Sequence, residues 1–127
     1  MKGIGHFDFG DNLRPVDFDG WCDSATYRDP RAIGFWLEYW HAAYWSLLEE
    51  ATERVCFVNY EAFCTDPWLG LESVAHFINL ENKDALLAQA ERMHAPSSYE
   101  IDGALLDDTV VQKVKALHSR LVAISVI

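Results

Sequence analysis

The sequence predicts a mainly α-helical domain with a minor β component, about four helices around one or two short strands. Three observations carry that expectation. Apolar residues recur at spacings of three and four over most of the chain, the period of a helix with one face turned inward. A single short run, Val55, Cys56, Phe57 and Val58, is instead continuous, apolar and rich in β-branched or aromatic side chains, which suits a strand covered on both faces. Asp-Pro pairs at 29–30 and 66–67 mark helix starts, because aspartate accepts from orphan backbone N–H groups and proline at the first helical position gives up no hydrogen bond.

The chain has 127 residues, half of them hydrophobic, enough for one domain that buries about two thirds of its unfolded surface. Residues 1–28 are the least regular part. Phe7 and Phe9 alternate with His6 and Asp8, so residues 4–9 can form a short strand, after which Gly10, Asn12 and Pro15 interrupt any regular element. The aspartates of this segment, among them Asp17, Asp19, Asp23 and Asp29, suit turns and caps. Asp17-x-Asp19-Gly20 lacks the spacing and following glutamate of a calcium loop, and no metal site is expected.

The longest helix is expected over 30–52. Ile33, Trp36, Leu37, Trp40, Ala43, Tyr44, Leu47 and Ala51 fall on one wide apolar face, with Phe35, Tyr39 and Trp45 spilling beyond it. The strand follows over 54–60. Further helices are expected over 67–78, with Leu71, Val74, Ala75 and Ile78 inward, and over 83–94, with Leu86, Leu87, Ala90 and Met93 inward. Pro96, Ser97-Ser98 and Asp102-Gly103 make 95–106 a loop. The last helix, 108–126, is capped by Asp107 or Asp108 and carries Val110, Val114, Leu117, Leu121 and Ile124 as a narrow seam suited to one partner helix.

Charge and cysteine usage narrow the function classes. Twenty acidic against ten basic residues give a formal net charge of −10, which repels nucleic acid. Three cysteines, Cys22, Cys56 and Cys64, form no Cys-x-x-Cys pair and point to buried thiols in a reducing compartment. The amino terminus has no apolar signal region and no stretch is long and apolar enough for a membrane span, so a soluble, cytoplasmic protein without a membrane partner is expected.

Between the strand and the second Asp-Pro lies a more specific pattern. Val58-Asn59-Tyr60-Glu61-Ala62-Phe63, then Asp66-Pro67, then a helix closing on Phe77-Ile78-Asn79-Leu80, resembles the strand, Tyr-Glu-Asp, Asp-Pro and Phe-Leu-Gly-Leu pattern of sulfotransferases. The resemblance implies the carboxyl-terminal part of that α/β fold. It also implies that Tyr60 and Glu61 lie at a cofactor surface, with Tyr60 able to stack on the adenine of 3′-phosphoadenosine 5′-phosphosulfate. Ala62 stands where the family has aspartate and Asn79 where it has glycine, a position at which asparagine also accepts the left-handed conformation of a helix stop. No Gly-x-x-x-x-Gly-Lys-Ser/Thr loop is present, and no catalytic residue can be assigned. The resemblance therefore implies a truncated transferase domain, inactive alone, whose cofactor and phosphate loop would come from a partner chain.

Two further readings start from the aromatic helix. One is a homodimeric interaction module in which Trp36, Tyr39, Trp40, Tyr44 and Trp45 meet a second copy, since aromatic residues dominate interface centres. The other is a small-molecule binder with a pocket lined by Trp36, Trp40 and Tyr44. His41 lies among these rings, with no second ligand spaced for zinc.

Overall fold

The structure, a computed structural model, describes residues 13, 15–95 and 106–127. The strand expected over 4–9 and most of the 95–106 loop lie outside the described residues. Within them every regular element is a helix: α1 (Trp21–Ser24), α2 (Ile33–Glu49), α3 (Tyr60–Thr65), α4 (Pro67–Phe77), α5 (Asp84–Leu87) continuing into a 3-10 turn (Ala88–Arg92), and α6 (Asp108–Ile124). The chain divides into two compact units, one containing residues up to Glu50 with the part of α6 to Leu117, the other running from Ala51 with the part of α6 from His118.

The absence of any strand among the described residues corrects the expected fold class and the sulfotransferase resemblance together, because that fold is built on a β-sheet. Residues 55–59 form no regular element. Their pairing consists of two bonds in the second unit: the Val126 N–H donates to the Phe57 carbonyl at 2.9 Å, and the Asn59 N–H donates to the Ile127 carbonyl at 3.3 Å. Val55 and Val58 are exposed rather than covered on both faces. Asn59, itself extended, then ends the stretch, for its side-chain oxygen accepts from the Ala62 N–H at 2.8 Å and starts α3 at Tyr60. Tyr60 and Glu61 thus sit in the first turn of a short helix and not at the carboxyl end of a sheet strand, which removes the basis for the truncated transferase, its phosphosulfate cofactor and the partner chain supplying a phosphate loop.

Local signals explain the other helix boundaries. Asp66 accepts from the Leu69 N–H at 3.0 Å with Pro67 at the first position of α4. Asn79 takes φ 52° after α4, and the Leu80 and Asn79 N–H groups return to the carbonyls of Ala75 and His76, the paired bonds of a Schellman stop. Asp107 caps α6 by accepting from the N–H groups of Thr109 and Val110 at 2.8 and 3.2 Å. Asp29-Pro30 differs. The Asp29 carboxylate turns to Arg31, accepting from its backbone N–H and its guanidinium, and α2 begins only at Ile33 behind Ala32, with no side-chain cap.

Each unit has its own small core. In the second, Cys64, Leu71, Ala75, Leu87 and Leu121 are buried, and the Phe63 ring lies where a side chain on Gly70 would go. In the first, Trp21, Phe35, Val110 and Leu117 are buried. Here α2 is turned over relative to its pattern: Phe35, expected beyond the apolar face, is 5% exposed, whereas Ile33, Tyr44 and Leu47 of that face are 41%, 37% and 50% exposed. The reason lies in the irregular segment before it. Trp21 packs on Phe35 and Tyr39 with centroids 5.3 and 5.0 Å away, and Phe18 lies 5.7 Å from Tyr39, so rings from α1 and its approach cover the side of α2 that carries residues 35 and 39.

Candidate functional site

The first unit contains a cleft of about 240 Å³ lined by Trp21, Ser24, Ala25 and Thr26 from α1 and the turn after it, Glu38 and His41 from α2, and Val110, Lys113 and Val114 from α6. Its geometry starts from Glu38, the only formally charged residue between positions 33 and 48. The two carboxylate oxygens accept from the N–H groups of Thr26 and Tyr27 at 3.2 and 2.8 Å, so both oxygens of Glu38 are engaged in holding the turn to α2. Tyr27 extends the clamp. Its ring occupies the space a side chain at Gly34 would need, and its hydroxyl accepts from the Asp107 N–H at 2.7 Å, fixing the cap of α6.

His41 lies one turn beyond Glu38. Burial lowers the pKa of its imidazole, the nearby Lys113 ammonium lowers it further, and Glu38 opposes the shift in part. The ring is therefore neutral at pH 7 and can donate one hydrogen bond without bringing a second positive charge to Lys113. Lys113 makes no ion pair among the described residues. The Asp107 carboxylate, which also feels Lys113, is held below its ordinary pKa mainly by the Val110 and Thr109 N–H groups. Trp21 supplies an apolar wall, and its indole N–H is a buried donor with no partner among the described residues.

The aromatic residues expected at a pocket or interface divide between two groups. Trp36 and Tyr39 belong with Phe35: Phe35 and Trp36 meet edge to face at 5.2 Å, Phe35 and Tyr39 stack at 6.1 Å, the Trp36 Nε1–H donates to the Pro30 carbonyl at 2.8 Å, and the Tyr39 hydroxyl accepts from the Val16 N–H at 3.1 Å. Trp40, Tyr44 and Trp45 form the second group, farther along α2. Trp40 stacks on Tyr44 at 4.7 Å, and Trp45 lies nearly parallel to His41, with planes 9° apart and centroids at 6.0 Å. Tyr44 and Trp45 remain exposed. The cleft is lined by other residues than Trp36, Trp40 and Tyr44.

Tyr60 and Glu61 belong to the second unit and are not among the residues that line the cleft. Tyr60 is 59% exposed, Glu61 is exposed, and the Glu61 carbonyl accepts from the Thr65 hydroxyl at 2.8 Å. Sequence reasoning missed Trp21, Glu38 and Lys113. Glu38 carried a usable signal, a lone acid inside an otherwise uncharged helix stretch.

Among the described residues no group of three or more His, Cys, Asp or Glu side chains is placed to hold a metal ion, and no helix is long and apolar enough to cross a membrane. Comparison with known proteins adds no relative, since no family model, no curated protein and no solved structure matches the chain.

Proposed function

We propose that the chain is a helical interaction module that pairs with a second copy of itself through the outward stripe of α2. The observation that supports this reading is the orientation of that helix. Its regular apolar stripe, with Ile33, Tyr44 and Leu47 exposed and Trp40 stacked on Tyr44, points away from the core that Phe35 and Trp21 fill. Tyr44, exposed and already stacked on the half-buried Trp40, loses little rotamer freedom on contact, which suits an interface centre.

The second copy is the occupant we propose. The stripe adds no local charge repulsion of its own between two copies of this acidic chain, since residues 39–48 contain no Asp, Glu, Lys or Arg. Ala42, Ala43 and Ser46 leave room for a second backbone nearby, and two-fold closure would set the stripe against itself.

Sedimentation equilibrium between about 1 and about 100 µM tests the reading. The expected result is a monomer–dimer equilibrium abolished by Leu47→Glu and by Tyr44→Glu, with the dilute-solution melting temperature little changed. A monomer across the range overturns it. So does a dimer that both variants leave intact.

A further inference from the structure

We infer that the cleft bounded by Trp21, Glu38, His41 and Lys113 binds a small organic carboxylate, its anionic head at Lys113 and His41 and its apolar body against Trp21, Val110 and Val114. The site is separate from the exposed stripe of α2, and the inference does not depend on dimerisation.

The argument rests on what the lining groups have left to offer. Glu38, the one acid of the lining, has an N–H on each carboxylate oxygen, from Thr26 and Tyr27. The Ser24 hydroxyl donates to the Trp21 carbonyl at 3.3 Å. Asp107, the other carboxylate that Lys113 feels, is engaged by the Thr109 and Val110 N–H groups. Lys113 thus keeps its ammonium donors although acids outnumber bases two to one in the chain, and His41 adds a neutral imidazole beside it. A cation next to a neutral donor matches an oxyanion that accepts from both.

The rest of the lining chooses the body of the ligand. Trp21, Ala25, Val110 and Val114 offer an aromatic ring and methyl groups, which an inorganic anion would leave in contact with nothing of its own kind. At about 240 Å³ the cleft falls below the roughly 300 to 1,000 Å³ of sites for drug-sized molecules, which limits the ligand to on the order of ten non-hydrogen atoms. An aromatic or short branched carboxylate fits both limits.

The test is an NMR titration of the full chain with benzoate, following the His41 ring protons, with benzamide and inorganic phosphate as separate arms. Benzoate is expected to produce a saturable shift and to raise the pH at which His41 titrates, because an anion at this point favours the imidazolium. Benzamide, which lacks the charge, and phosphate, which lacks the apolar body, should each bind at least about tenfold more weakly. Lys113 is exposed on α6, so Lys113→Gln should leave the fold intact and weaken benzoate by a similar factor, while Lys113→Arg retains binding. No saturable benzoate response at His41 overturns the inference. Equal binding of benzamide shows an apolar cavity only, equal binding of phosphate shows a charge site only, and unchanged affinity in Lys113→Gln removes Lys113 from the site; each of these also overturns it. Repeating the titration on Leu47→Glu separates this outcome from that of the dimer.

Discussion

Tyr27 and Asp107, eighty positions apart in the chain, are joined by a hydrogen bond of 2.7 Å in which the Asp107 backbone N–H donates to the tyrosine hydroxyl. The same tyrosine gives its own N–H to Glu38 and rests its ring on Gly34. One side chain in an irregular segment therefore meets both α2 and the cap of α6. Tyr27→Phe keeps the ring and loses the hydroxyl, and should cost about 1 kcal/mol in urea unfolding, the usual net value of one hydrogen bond.

Two glycines should respond against their intrinsic preference. In an exposed helix Gly→Ala gains up to about 1 kcal/mol. At Gly34 a new Cβ would lie 2.6 Å from the Tyr27 ring, and at Gly70 it would meet the Phe63 ring at still closer range. Overpacking of this kind costs about 1 to 3 kcal/mol, so both substitutions should destabilise. Phe63→Leu should relieve the Gly70→Ala penalty in part and leave that of Gly34→Ala unchanged, which a double-mutant comparison would read directly.

The inverted orientation of α2 makes a third prediction. Phe35→Ala should cost about 3 to 5 kcal/mol, as expected for emptying a buried aromatic site. Leu47→Ala, at a position half exposed on the same helix, should change monomer stability by less than about 0.5 kcal/mol. Equal losses at the two positions would show that the stripe is core after all.

Stability should fall on mild acidification because of His41. Its folded-state pKa lies below the ordinary 6.5, so well above pH 6.5 the ring is neutral in both states and contributes no pH dependence. As pH falls through 6.5 the unfolded chain takes the proton first. Stability then declines until the folded-state pKa is passed, and levels off. His41→Gln should flatten this limb in melts recorded between pH 7 and pH 5. A separate loss belongs to Asp29, held down to about 2 by Arg31 against an ordinary 3.8: its contribution is present above 3.8 and disappears as pH falls toward 2.

Much of the helical layout was legible because caps and stops act locally. Asp66-Pro67, Asp107 and the left-handed Asn79 each determine a boundary with atoms a few residues away, and of the α6 seam Val110, Leu117 and Leu121 are buried while Val114 is half-buried and Ile124 exposed. The inward side of α2 was not legible. Periodicity says which residues share a face, but Phe18 and Trp21, which decide which face is covered, come from a segment with no period. The supposed strand failed for a related reason: Val55 to Val58 reads as buried only if a sheet lies beside it, and its described neighbour is the pair Val126 and Ile127. The cleft was hidden too, since Trp21, the α2 pair Glu38 and His41, and Lys113 of α6 come from three elements, the last more than sixty positions beyond the others.

The parallel rings of His41 and Trp45 have an optical consequence. An imidazolium lying against an indole quenches its emission far more than a neutral imidazole does, and these planes are 9° apart. In a variant with the other tryptophans replaced by phenylalanine, Trp45 fluorescence should dim as His41 takes up its proton. The midpoint of that change would give the charge state of a single side chain at nanomolar protein, with no label added to the molecule.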